Sequence, residues 1–60
     1  MSLHQIRNKF KALIRTKEAL REEYLRSDNV ELNAIALYIE VELKELKEIF
    51  DELDELTSCT

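Results

Sequence analysis

The sequence predicts an all-α chain: an antiparallel two-helix hairpin that dimerises into a four-helix bundle. Three observations predict it. The 60 residues include neither Gly nor Pro, so the turn chemistry of β-hairpins is missing. Apolar residues recur at alternating steps of three and four along two stretches, the spacing of a helical seam. Between those stretches lies Ser27-Asp28-Asn29, residue types whose side-chain oxygens bond nearby backbone N–H groups in turns and helix caps.

The first helix is expected over about 3–26. Ser2 followed by Gln5 has the spacing of a capping box. Leu3, Ile6, Phe10, Leu13, Lys17, Leu20 and Tyr24 form the seam, and Ile14 widens it on one side. Lys17 interrupts the apolar line and is expected to bury its stem while its ammonium reaches water.

The turn is expected at 27–28 and the second helix over about 29–56. Asp28 and Glu31 have capping-box spacing, with Asp in place of Ser or Thr. Leu32, Ile35, Ala36, Ile39, Leu43, Leu46, Ile49, Phe50, Leu53 and Leu56 make a broad apolar face, wider than a two-stranded coil requires. Residues 57–60 are read as a frayed tail.

This helix also carries a second apolar line. Val30, Ala34, Leu37 and Val41 step by four, three and four, roughly opposite the Leu32–Ile39 stripe. A lone hairpin covers only one of these faces. The line is therefore the expected self-association surface, and a two-fold homodimer is the expected form.

Charge divides between the two halves. Residues 1–27 hold seven Lys/Arg and three Glu, a net of +4; residues 28–60 hold two Lys and ten Asp/Glu, a net of −8. Cations near a helix N-terminus and anions near a C-terminus both oppose the helix dipole. An antiparallel hairpin lays the basic start beside the acidic end and so favours that pairing. A turn near residue 28 gives partners whose numbers add to about 55, which places Lys9 near Glu45.

Composition excludes several classes. No apolar run reaches the ~20 residues that span a bilayer, and no basic segment followed by an apolar one marks a secretory signal. A single cysteine makes no internal disulfide framework. An apolar content of 45% is too high for a plainly disordered segment. A cytoplasmic protein without a membrane partner is expected.

The sequence contains no catalytic motif, so no enzyme, catalytic residue, cofactor or metal is expected. His4 lies near the first helix's start without an orienting partner, and Cys59 is read as a free thiol. Glu40, Glu42, Glu45 and Glu48 are read as a solvated face, because a bundle metal site also needs inward-facing histidines and none follows residue 4.

Two charged surfaces remain. Arg7, Lys11 and Arg15 stand one turn apart and form the candidate nucleic-acid contact. Glu45, Glu48, Asp51, Glu52 and Glu55 form the candidate contact for a partner protein. The plan is similar to that of the plasmid RNA-binding Rop regulators, helical hairpins that dimerise into four-helix bundles, though no functional motif of that family falls on positions here. The small two-helix sporulation phosphatases carry a Ser-Gln-Glu-Leu-Asp signature that this chain lacks. The expected function is a non-enzymatic interaction module, a helical-hairpin homodimer acting as regulator or adaptor. The alternative is a Rop-like RNA- or DNA-binding dimer that uses the basic face of the first helix.

Overall fold

The computed structural model describes residues 1–58. Two helices, α1 (Leu3–Arg26) and α2 (Val30–Ser58), fold back on each other as a hairpin. No strand occurs among the described residues. The Cα envelope measures 47 × 15 × 14 Å, so the length is that of one helix and the cross-section that of a single helical pair.

Ser2 opens α1 with a full capping box. Its Oγ accepts from the Gln5 N–H at 3.2 Å, and Gln5 Oε1 accepts from the Ser2 N–H at 2.9 Å. Two of the N–H groups that a helix start leaves unpaired are satisfied in this way.

The break at Ser27-Asp28-Asn29 interrupts the helix as expected, but Asn29 caps α2 in place of Asp28. Asn29 Oδ1 accepts from the backbone of Glu31 at 2.8 Å and of Leu32 at 3.4 Å. Ser27 determines the choice. Its backbone is extended, with φ −72° and ψ 148°, and its Oγ accepts from the Asn29 N–H at 3.1 Å. The turn closes with no positive φ among the described residues, as a chain without glycine favours.

Asn33, one turn into α2, reaches back across the gap. Its Nδ2 donates to the carbonyls of Tyr24 at 2.8 Å and Ser27 at 3.0 Å. These carbonyls lie at the C-terminal end of α1, where helices leave acceptors short of partners; that of Tyr24 also accepts from the Ser27 N–H at 3.3 Å. One amide thus satisfies the end of α1 and fixes the start of α2 against it.

Beyond residue 56 the expected fraying is absent at Thr57 and Ser58, which continue α2. Both hydroxyls donate to the Asp54 carbonyl, at 3.0 and 2.8 Å, and Thr57 is buried. Its place in the sequence explains this: Thr57 continues the four-three alternation of Ala36, Ile39, Leu43, Leu46, Phe50 and Leu53. The remaining tail residues, including Cys59, lie outside the described ones.

The core is narrow. Ile14, Ile39 and Leu43 are buried together, with Leu20, Tyr24, Leu46 and Phe50 half-buried around them. Ala36 is fully enclosed. On α1 the buried line is rotated from the expected one: Ile14 sits inside, and Leu13 is 42% exposed on the shoulder. Leu13 and Ile14 are both apolar, so periodicity on α1 alone does not choose between them. Arg7 and Arg21, one heptad to either side of Ile14, find acidic partners on α2, and these bonds turn α1 toward Ile14.

The register also differs from expectation. Arg7–Asp54, Lys17–Glu42, Arg21–Glu40 and Glu18–Lys47 pair residues whose numbers add to 61, 59, 61 and 65. Lys9 is exposed and makes no ion pair among the described residues, so it does not meet Glu45. The cause is the lean of helical side chains toward their own N-terminus. On α1 that direction is away from the turn, and on α2 it is toward the turn. Tips that meet therefore belong to an α2 residue whose Cα lies farther out. The leans on the two helices add, so an ion-pair partner on α2 lies several residues farther from the turn than the residue level with it.

Candidate functional site

The two flanks of the hairpin differ in chemistry. Asn33, Glu40, Lys47 and Asp54 recur every seven residues on α2 and follow the core positions Leu32, Ile39, Leu46 and Leu53. All four bond across to α1. Asn33 holds the Tyr24 and Ser27 carbonyls, and Glu40 accepts from Nε and Nη2 of Arg21 at 2.9 and 2.6 Å. Lys47 pairs with Glu18 at 3.4 Å, and Asp54 accepts from Arg7 at 2.8 Å. This flank is closed by polar bonds along its length.

On the opposite flank of α2, Ile35, Glu42, Ile49 and Leu56 also recur every seven residues, each just before a core position. Only Glu42 among them is polar, and its Oε1 takes the Lys17 ammonium at 3.3 Å. Lys17 and Glu42 are both half-buried, so the seam lysine is held by an ion pair rather than left to water alone. The three apolar members are 42–54% exposed. Leu13, one turn before Lys17 on the same side of α1 by helical periodicity, borders this flank. Around the Lys17–Glu42 pair, the exposed large side chains of this open flank, Leu13, Ile35, Ile49 and Leu56, are apolar.

The expected self-association line lies elsewhere. Val30, Leu37 and Val41 are 79%, 60% and 57% exposed, and Ala34 is exposed beside them. They face away from α1. Tyr38, 65% exposed, stands between this ridge and the open flank, so α2 is apolar around most of its outer surface near the turn.

The basic stripe does not stay together. Arg7 turns inward, bonded to Asp54, with its guanidinium carbon 5.0 Å from the centre of the Phe50 ring. Lys11 and Arg15 are exposed and make no ion pair among the described residues. Each four-residue step advances about 40° around a helix, which carries the stripe from the closed flank toward the back of α1. Its members share a helix but not a single direction.

The acidic residues expected to meet a partner stay on the surface. Glu45, Glu48, Asp51, Glu52 and Glu55 are exposed and take part in no ion pair among the described residues. Asp54, within the same run, is the exception and is bound by Arg7. His4 is exposed at the first turn of α1. Among the described residues there is no enclosed cavity, and no group of His, Cys, Asp and Glu has the arrangement to hold a metal ion. No helix is long and apolar enough to cross a membrane.

The division into a closed and an open flank was not foreseen from the sequence. Its signal is nonetheless present, as the two seven-residue series that flank the core line of α2. Compared with known proteins, the chain matches no family model, no curated protein and no solved structure.

Proposed function

We propose that the chain is a non-enzymatic interaction module that works in the cytoplasm as a homodimer of helical hairpins and binds another protein as a regulator or adaptor. The observation that carries this reading is the apolar surface left on α2. The hairpin buries Ile14, Ala36, Ile39 and Leu43 but leaves both the open flank and the Val30–Val41 ridge in water. Contiguous apolar surface of this kind marks association sites. Self-association covers one band and leaves the other, with the exposed acids of α2, for a partner protein.

The test is the mass in solution across dilution. A species of twice 7.1 kDa at micromolar concentration is expected, dissociating on dilution with loss of helix. A fully helical 7.1 kDa species at those concentrations overturns the reading.

Of the basic stripe Arg7, Lys11 and Arg15, the last two, exposed and without an ion pair among the described residues, favour one alternative: a Rop-like dimer that binds RNA or DNA. That reading requires micromolar binding to generic RNA or DNA at low salt, weakened by added salt and lost when Lys11 and Arg15 become Glu. Arg7 is left out of this variant because Asp54 and Phe50 already engage it. No binding at low salt eliminates the alternative.

A further inference from the structure

We propose that the second copy covers the open flank, with its α1 laid antiparallel against α2 of the first copy and both turns at the same end. The proposal rests on the homodimer reading above and assigns it a surface and a geometry. The open flank spans both helices: Leu13, Ile35, Ile49 and Leu56 are its exposed apolar side chains, set around the half-buried Lys17–Glu42 pair. The ridge belongs to α2 alone. Covering the flank therefore extends the existing core, and covering the ridge does not.

Two face-to-face two-fold arrangements are open to such a flank. With the turns at opposite ends, α2 lies beside α2 of the partner copy, and two segments of net −8 meet. With the turns at the same end, each α2 lies between the two α1 helices. The acidic half of α2 then meets a second basic half; with Arg7 and Lys17 already paired inside the hairpin and Lys11 and Arg15 carried toward the back of α1, Lys9 is the cation left to face it. Charge complementarity selects this second form. The register seen within the hairpin, with ion-pair partners whose numbers add to 59–65, brings Lys9 of one copy near Glu52 of the other. Both are exposed and without an ion pair among the described residues. Two such contacts form per dimer.

Sedimentation equilibrium of the full chain and its variants tests the proposal. Leu13→Glu and Ile49→Glu raise the dissociation constant ~100-fold, since each buries an unpaired charge twice per dimer; Leu37→Glu on the ridge leaves the dimer intact. Lys9→Glu and Glu52→Lys each raise the constant about tenfold at low salt, and the double exchange restores it to within about twofold. This exchange decides the matter if a glutamate on the flank unfolds the hairpin or if both surfaces respond. A dimer lost with Leu37→Glu alone, or one indifferent to reversal at Lys9 and Glu52, overturns the flank as the interface and leaves the homodimer standing. A monomeric parent chain overturns both.

Discussion

Arg7 and Asp54, 47 residues apart, join the open ends of the two helices. Arg7 Nε donates to Asp54 Oδ1 at 2.8 Å, and the same guanidinium lies over Phe50. A residue suited by type to contact phosphate is used to close the hairpin. Arg7→Ala removes an ion pair, a cation–π contact and a packed stem, and is expected to cost about 1–2 kcal/mol. Asp54→Asn retains the ring contact and costs about 0.5 kcal/mol. Lys11→Ala, at an exposed residue with no ion pair among the described residues, stays within about 0.5 kcal/mol of the parent. Thermal unfolding followed by circular dichroism ranks the three, and equal losses at Arg7 and Lys11 contradict the role given to Arg7.

Asn33 ties the two helices at the turn end. Asn33→Ala leaves the Tyr24 and Ser27 carbonyls without their side-chain donor and is expected to destabilise by about 1–3 kcal/mol. Asn33→Asp should be no better, because a carboxylate offers those carbonyls another acceptor. Urea unfolding measures both. A neutral Asn33→Ala means that water serves the carbonyls equally well.

The cap of α2 separates neighbouring residues. Asn29→Ala should cost ~1 kcal/mol, the usual loss of an N-cap acceptor. Asp28→Ala should cost less than ~0.5 kcal/mol, since Asp28 is exposed and does not cap the helix. A larger loss at Asp28 than at Asn29, read from the same unfolding curves, reverses this assignment.

Salt should weaken the hairpin without abolishing it. Among the described residues, four ion pairs join α1 to α2: Arg7–Asp54, Lys17–Glu42, Arg21–Glu40 and Lys47–Glu18. Each is partly exposed and contributes ~0–1 kcal/mol. At 1 M salt the screening length falls to ~3 Å, and the melting temperature is expected to drop by about 2–8 °C. A melting temperature indifferent to salt means that the charges do not hold the helices together.

The sequence by itself determined two helices, the break at Ser27–Asn29, the Ser2–Gln5 cap, the antiparallel pairing and most of the α2 core line. These are local properties: periodicity, capping chemistry and the division of charge between the halves all act over a few residues or along one helix. Only the tertiary structure decided the register, the choice of Ile14 over Leu13, the capture of Arg7 and the closing of one flank by Asn33, Glu40, Lys47 and Asp54. Each of these depends on what stands opposite. The lean of side chains on one helix meets the opposing lean on the other, and a seven-residue series shows which flank it closes only when the other helix supplies its partners.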